Sequence, residues 1–187
     1  YTAGQSVYDD MHGIAGMLGL SEKEVRVISK LVGGGFGGKE DLSVQHHAAL
    51  LAWHTRRPVR VTLTRAESMR IHPKRHPMDM AYTLGADAEG RITGIRIRIK
   101  ADTGAYSSLG GPVLQRACAH ATGPYRIPNV DIEGIGAYTN NPPSGAFRGF
   151  GVTQSAFAVE QMMNLLAEAV GVSYWEIRDR NVILPGD

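Results

Sequence analysis

The most constraining feature of this chain is a glycine-rich stretch at residues 32–41. Five of its ten residues are glycine, arranged around Phe36 as Val-Gly-Gly-Gly-Phe-Gly-Gly-Lys-Glu-Asp. Glycine loses more backbone entropy on folding than any other residue, so this density predicts unusual dihedral angles or a close approach to something bulky. The preceding segment 25–32 is typical of a strand and the following segment 41–53 of a helix. That order can direct backbone N–H groups and a helix N-terminus toward an anion.

Two nucleotide-binding patterns fit this loop only in part. Residues 33–39 match most of a phosphate-binding loop, but Glu40 stands where that pattern requires Ser or Thr for magnesium. The same glycines spell G-x-G-x-x-G, yet segment 56–60, about 20 residues further on, is basic and offers no acid for a ribose. The third interpretation is a loop packed against a large anionic cofactor, with Phe36 as a contact and Glu40 beside the site.

Composition excludes several other kinds of site. The 187 residues are 43% hydrophobic and 20% charged, which is ordinary for a globular protein of one domain or two lobes. The single cysteine, Cys118, excludes an internal disulfide and a cysteine-built metal site. A net charge of +2, and a basic run at 56–76 without interleaved aromatics, argue against a nucleic-acid partner. That run is interpreted as a solvated face or an edge that meets another subunit or a phosphate tail. No apolar run approaches the roughly 18 residues of a membrane span.

The remaining pattern predicts helices and strands in mixed order. Apolar spacing, capping residues and β-rich alternation define these elements. Asp41 is expected to cap the helix that follows the first loop, and Ser21 and Ser173 to cap two others. We predict strands at 25–32, 59–64, 78–85, 91–101 and 130–138, and helices at 5–18, 41–53, 112–122, 152–170 and 174–181, with the longest near 152–169.

A second unusual loop lies at residues 139–151. Its prolines and glycines exclude regular structure, yet it carries Phe147, Arg148 and Phe150. The alternatives to a functional role are a salt bridge for Arg148 and a small core anchor for the two phenylalanines. Like the first loop, it follows a predicted strand, precedes a helix and pairs an aromatic with a charged residue. If the two loops converge, they form a pocket with backbone donors, a stacking surface and charged groups.

Together, segments 33–40 and 146–151 resemble two motifs of the molybdenum hydroxylases, the xanthine dehydrogenase and aldehyde oxidase family. Arg116 and the sequence Tyr-Arg-Ile-Pro-Asn at 125–129 strengthen a resemblance that runs over nearly the whole chain. It implies an α+β fold with mixed sheets and packed helices, a two-lobed molybdopterin-binding domain of the xanthine dehydrogenase type. Residues 1–187 would then be part of a longer chain.

The resemblance also implies a role for each site residue. Molybdenum would be held by the pterin, with no direct side-chain ligand, and the backbones of Phe36 and Arg148 would lie near its molybdenum end. Phe150 would pack on the substrate ring. Glu40 and Arg116 would be the catalytic, substrate-facing carboxylate and guanidinium. The full set of implied cofactor-binding residues is Gly35, Phe36, Gly37, Ala146, Phe147 and Arg148.

The implied reaction is hydroxylation of a carbon atom with oxygen from water. Aldehyde-oxidising relatives are typically apolar at the positions of Glu40 and Arg116, so the resemblance implies a purine-like nitrogen heterocycle as substrate. The cofactor would be molybdopterin carrying molybdenum. The resemblance does not specify which nucleotide, if any, is attached to the pterin. Iron–sulfur clusters and FAD are expected only in partner domains or subunits of this cytoplasmic enzyme, which would have no membrane partner.

The rest of the molybdenum subunit is a further expected partner. The family's essential base and a pterin-binding glutamine region are expected outside these residues, so the isolated piece should be inactive. Aldehyde oxidation, a non-catalytic scaffold and a nucleotide-binding module are the alternatives.

Overall fold

The computed structural model describes residues 1–186, which form two compact units. Unit 1 comprises Tyr1–Arg75, Gly104–Leu109 and Asn140–Arg148, and unit 2 comprises His76–Thr103, Gly110–Thr139 and the residues from 149 onward. None of the described helices has the length and apolar character needed to cross a membrane. The fold contains packed helices and a mixed sheet, so the predicted α+β class is confirmed.

Unit 1 is helical, and the rest of its backbone is irregular. Two strands predicted here, 25–32 and 59–64, are wrong. The described residues form no ladder along either segment, apart from one isolated parallel bridge between Thr2 and Ser29. Both segments keep much of the alternating burial of strands, but a ladder requires a partner backbone. The helices are α1 (Val7–Leu18), α2 (Gln45–Thr55) and α3 (Arg65–Ile71), with a short 3-10 helix at Glu22–Glu24.

Capping explains where these helices begin. The helix predicted from residue 41 starts later, because its N-cap is Val44. The Asp41 carboxylate does not cap it, since this carboxylate accepts a hydrogen bond from the Ser108 hydroxyl instead. The predicted capping box at Ser21 is confirmed around the 3-10 helix, where the Glu24 carboxylate accepts from the Ser21 amide at 2.9 Å.

Unit 2 is built on a three-stranded sheet of β1 (Met78–Ala86), β2 (Ile92–Gly104) and β3 (Val130–Tyr138), with the strands in that order. β1 and β2 form the predicted antiparallel hairpin, with Leu84 opposite Ile95. The Ile95 amide donates to the Asn129 carbonyl at 2.8 Å, and Thr103 Oγ1 donates to the Ala137 carbonyl at 2.9 Å, so β3 runs parallel to β2. The bounds of all three strands lie close to the predicted ranges 78–85, 91–101 and 130–138.

Alternation along β2 determines which face of this sheet is buried. Ile97 and Ile99 are fully buried, whereas Arg96 and Arg98 face the other side and both bind the Asp131 carboxylate of β3. Helices pack on the apolar face, as expected for a sheet that is hydrophobic on one side only. They are α4 (Gly110–Ala119), α5 (Val152–Val170), which is the longest as predicted, and α6 (Tyr174–Asn181), which Ser173 caps as predicted.

The junction of α4 and α5 depends on Gly151. This residue has φ +95°, and a Cβ there would lie 2.9 Å from the Ala117 nitrogen and would overlap the Val113 carbonyl of α4. Gly171, which ends α5, also has a left-handed backbone at φ +77°, but no atom lies within 4 Å of its Cβ position. Both glycines therefore have a positive φ, which any residue with a Cβ disfavours, but only at Gly151 would that Cβ also meet neighbouring atoms.

This difference predicts unequal effects of the same substitution. Gly171→Ala should lower the free energy of unfolding by about 1 kcal/mol, the cost of a left-handed conformation for a residue with a Cβ. Gly151→Ala should lower it by at least about 3 kcal/mol, because overlap with the backbone of α4 adds to that cost. Urea unfolding of the two purified variants, followed by circular dichroism, measures both values. Equal losses would contradict this account of the junction.

Candidate functional site

The first glycine loop, residues 33–40, has the unusual backbone that its composition predicts. Gly33, Gly34 and Gly37 have φ of +66°, +98° and +87°. Phe36 has φ +54°, which non-glycine residues rarely adopt, and its side chain is 69% exposed. Such a conformation persists only where the surrounding structure enforces it, and it is common at ligand-binding sites.

The side chain of Gln5 holds this loop in place. Its Oε1 accepts hydrogen bonds from the Gly37 amide at 3.0 Å and the Lys39 amide at 3.2 Å. Its Nε2 donates to Glu40 Oε1 at 3.2 Å. This role was not predicted from the sequence, in which Gln5 was expected only to begin the first helix. Because Gln5 and Gly37 are 32 positions apart, no local pattern links them.

Glu40 lies in an environment that disfavours its charge. Partial burial raises the pKa of its carboxyl, and the nearby carboxylates of Asp41 and Asp9 raise it further. The neighbouring Lys39 ammonium donates to the Val32 carbonyl of the same loop. A phosphate-binding loop needs a lysine that is free to reach the phosphate and a helix that begins directly after the loop. Here the lysine binds the Val32 carbonyl and α2 begins only after Val44, so both parts are lacking.

The second loop is anchored to the segment that follows α3. The Gly145 amide donates to the Lys74 carbonyl at 2.9 Å, and the Lys74 amide donates to the Pro143 carbonyl at 3.4 Å. Ala146 is buried, whereas Phe147 and Arg148 are exposed. A fixed turn therefore presents two long side chains at the surface of unit 1.

The two loops meet inside unit 1, which fulfils the condition that the sequence pattern set for a shared pocket. A Cβ on Gly37 would lie only 2.9 Å from the Ala146 carbonyl carbon and from the Phe147 nitrogen. The Arg148 guanidinium lies 5.8 Å from the centroid of the Phe36 ring, which is within range of a cation–π interaction. Among the described residues, no carboxylate pairs with Arg148, so the alternative of a structural salt bridge is not found there.

Arg75 supports the second loop and was not predicted. One of its terminal nitrogens donates to the Arg148 carbonyl at 2.7 Å, and its guanidinium lies 4.5 Å from the Phe147 ring centroid. In the sequence, Arg75 belongs to the basic run 56–76, where nothing local distinguishes it from its neighbours. Only the folded chain shows that this arginine fixes a loop.

The loops leave a set of backbone donors unpaired. Within residues 1–186, no acceptor binds the amide N–H groups of Gly35, Phe36, Ala146, Phe147 and Arg148, whereas the amides of residues 37–40 are all paired. Buried or crowded N–H groups require an acceptor from water or a ligand. Clustered backbone donors suit anionic oxygen or sulfur atoms. This cluster of unpaired amides therefore suits a ligand rich in anionic acceptor atoms.

Two of the predicted residues belong to unit 2. Arg116 is exposed on α4, and its guanidinium makes no hydrogen bond or ion pair with any other described residue. Phe150 is half-buried and has φ +49°, between two glycines that also have positive φ. Glu40 belongs to unit 1, so the proposed substrate-facing carboxylate and guanidinium are carried by different units.

Comparisons with known proteins support the resemblance found in the sequence. The chain is 48% identical over 177 residues to the nicotinate dehydrogenase large molybdopterin subunit of Eubacterium barkeri, which covers 95% of this chain and 42% of that protein. It is 43% identical over 187 residues to a probable xanthine dehydrogenase subunit of Bacillus subtilis, which covers all of this chain and 25% of that protein. The chain thus spans less than half the length of these relatives.

A solved structure with the same fold and a family model both indicate the same group of proteins as these relatives. The aldehyde oxidoreductase from Desulfovibrio gigas superposes with a TM-score of 0.94 at 31% identity, over all of this chain and 20% of that one. The family model for the molybdopterin cofactor-binding domain matches residues 1–182. The chain therefore belongs to the molybdopterin cofactor-binding domain family of the xanthine dehydrogenase and aldehyde oxidase group.

Proposed function

We propose that the protein containing this chain hydroxylates a carbon atom of a nitrogen heterocycle, with water as the source of oxygen. The observation that carries the proposal is Glu40, a partly buried carboxyl with a raised pKa that is bound by Gln5, the same side chain that holds the glycine loop. Two of the relatives are named for nicotinate and xanthine, and both molecules contain ring nitrogens. A carboxyl fixed beside the reacting centre suits such a ring.

The two loops of unit 1 would hold the cofactor. The amides of Phe36 and Arg148, together with those of Gly35, Ala146 and Phe147, would donate to its oxygen and sulfur atoms. When bound, the molybdenum cofactor supplies the centre that accepts electrons from the substrate carbon. The exposed Phe36 ring would form an apolar wall that keeps bulk water from the site, which strengthens every polar contact there.

Glu40 and Arg116 would bind and polarise the heterocycle. Gln5 occupies Oε1 of Glu40, so Oε2 remains for a ring nitrogen or the proton on it. The Arg116 guanidinium is always charged and offers a fixed fork of donors. Such a group stabilises negative charge that develops on the ring during attack, which lowers the barrier more than it tightens ground-state binding. Phe150 would pack against the ring face.

The remaining parts of the reaction belong to the rest of the protein. The essential base would come from the polypeptide that the relatives have in addition to this region. Electrons would leave through iron–sulfur clusters and FAD in partner domains or subunits, because the only cysteine here is Cys118. We place this enzyme in the cytoplasm.

Oxidation of an aldehyde is the second candidate function. The superposition on an aldehyde oxidoreductase, with a TM-score of 0.94, favours it. The two candidates differ in what they require of Glu40 and Arg116, because an aldehyde has no ring nitrogen for a carboxyl to bind.

Substitution of these two residues should separate the candidates. In the full-length protein, Arg116→Met and Glu40→Val should each lower kcat/KM for purine and pyridine substrates about a hundredfold, the typical effect of losing one preorganised polar group. Turnover of an aromatic aldehyde should change little or rise. Steady-state kinetics at equal molybdenum content measure both. Equal losses on both substrate classes would mean that the residues support the fold or the cofactor, and heterocycle hydroxylation would be rejected.

The raised pKa of Glu40 makes a separate prediction for stability. The folded state binds more protons than the unfolded state between pH 4.5, the ordinary carboxyl value, and the raised pKa, so the wild-type protein loses stability as the pH rises through this window. Glu40→Gln removes that loss. The melting temperature of this variant relative to wild type should therefore increase with pH.

Glu24 provides a control of opposite sign. Hydrogen bonds from the Ser21 amide and hydroxyl lower the pKa of Glu24, so its contribution to stability appears as the pH rises toward 4.5. The melting temperature of Glu24→Gln relative to wild type should therefore decrease with pH. Thermal melts of both variants from well below pH 4.5 to neutral pH cover both windows, Glu24 below pH 4.5 and Glu40 above it, and slopes of the same sign would contradict these environments.

A further inference from the structure

The tip of the first glycine loop is a strained turn. The Gly38 amide donates to the Gly35 carbonyl at 2.8 Å, and the two residues between them, Phe36 and Gly37, both have positive φ. This is the pattern of a type I′ turn, which favours asparagine or glycine at its first central position. Phenylalanine has a Cβ that disfavours this conformation, so contacts from outside the turn must hold it.

His72 makes one of these outside contacts. It follows directly after α3, and its Nε2 donates a hydrogen bond to the Gly38 carbonyl, because a carbonyl oxygen can only accept. The His72 side chain is half-buried, and it lies 34 positions from Gly38 in the sequence. Gln5 binds amides of the same loop, so the two side chains hold different kinds of backbone group.

The residues that follow bind the second loop. Lys74 forms an isolated parallel bridge with Ser144. Pro73 packs beside the same loop, since a Cβ on Gly145 would lie 2.7 Å from the Pro73 Cβ. Residues 72–75, called the linking segment below, therefore contact both loops of the candidate site. The linking segment and both loops belong to unit 1.

The linking segment is itself held at the end of α3. The His72 amide donates to the Ser68 carbonyl at 3.0 Å, and Lys74 Nζ donates to the same carbonyl at 3.2 Å. Lys74 Nζ also donates to the His72 carbonyl. At the other end of α3, Thr64 and Glu67 form a capping box. A short helix that is fixed at both ends thus determines where the His72 side chain lies.

We propose that His72 is a positioning residue for Glu40 and for the Phe36 amide. It holds the strained turn through the Gly38 carbonyl, and Glu40 follows only two residues later. The Glu40 amide donates to the Gly37 carbonyl at 3.4 Å, so the position of the turn determines where the carboxyl lies. This inference deepens the proposed function and rests on it for the role of Glu40. A histidine that only fills space beside the loop would need no donor at Nε2.

Three substitutions of His72 separate positioning from space filling. His72→Gln places an amide nitrogen at nearly the reach of Nε2 and keeps a donor, whereas His72→Met has a similar length and no donor. His72→Asn also keeps an amide, but its shorter side chain does not reach the Gly38 carbonyl. His54→Met on the exposed surface of α2 is the matched control and should behave as wild type. If His72→Met fails to accumulate as folded protein, the contrast between His72→Gln and His72→Asn decides the question.

Hydrogen exchange of the full-length protein, measured by mass spectrometry with residue-level fragmentation, reports on the turn directly. In His72→Met and His72→Asn, the amides of residues 37–40 should exchange at least about tenfold faster than in wild type, the effect of one lost hydrogen bond. In His72→Gln they should exchange at close to the wild-type rate. The Gly145 amide, which binds the Lys74 carbonyl, should keep its wild-type rate in every variant.

Two results of this measurement would overturn the proposal. The first is the same exchange of residues 37–40 in wild type and all three variants, because the hydrogen bond would then not hold the turn. The second is an equal acceleration of Gly145, because unit 1 as a whole would then be destabilised.

Kinetics distinguish this inference from the proposed function. At equal molybdenum content, kcat/KM for purine and pyridine substrates should fall about tenfold in His72→Met and recover in His72→Gln, since one hydrogen bond has roughly that effect. An equal loss in both variants would overturn the positioning role. Failure of the proposed function gives a different result, because Glu40→Val would then affect heterocycle and aldehyde turnover equally while the exchange contrast among the His72 variants persists.

Discussion

The close approach of two loops at Gly37 is the constraint on which the candidate site depends. A side chain at this position would overlap the backbone of residues 146 and 147, and φ +87° is itself unfavourable for any residue with a Cβ. Glycine satisfies both conditions. Because the loops touch here, the unpaired amides of Phe36 and Arg148 lie on neighbouring backbones rather than on separate parts of the surface. The strained backbone of Phe36 therefore lies at the contact between the loops, within the candidate site.

Two side chains from outside the loops maintain that arrangement. Gln5 binds the amides of the second half of the glycine loop and the Glu40 carboxylate, which leaves the amides of the first half available. Arg75 binds the Arg148 carbonyl and lies over the Phe147 ring. The Arg75 contacts use an acceptor and an aromatic ring of the second loop, so the N–H donors of residues 146–148 stay free. Gln5 pairs with the amides of residues 37 and 39 and leaves those of residues 35 and 36 free. Contacts within the chain thus fix the arrangement of these donors, and a fixed arrangement reduces the ordering cost of binding a ligand.

Sequence periodicity correctly predicted the strands and helices that pair or pack with other elements of the same unit. The hairpin of β1 and β2, strand β3 and helix α5 follow from alternation and apolar spacing, and their partners lie within unit 2. Segments 25–32 and 59–64 carry the same signals, but in the described residues they form no ladder beyond the isolated bridge between Thr2 and Ser29, so local pattern alone overstated them. The two loops were recognised as candidate site elements because so many glycines lower the stability of the fold unless the backbone needs their conformations. Gln5 and Arg75 were missed because their roles arise from contacts between residues distant in sequence.

The cofactor content of two glycine variants tests the central claim most directly. Gly33 and Gly37 both have positive φ, but no atom lies within 4 Å of a Cβ on Gly33, whereas a Cβ on Gly37 meets the second loop. Molybdenum and pterin are measured in the purified full-length protein carrying Gly33→Ala or Gly37→Ala. If the contact between the loops forms the cofactor site, Gly37→Ala should lose most of its molybdenum and pterin, and Gly33→Ala should retain far more. Equal cofactor content in the two variants, with both proteins folded, would contradict the claim.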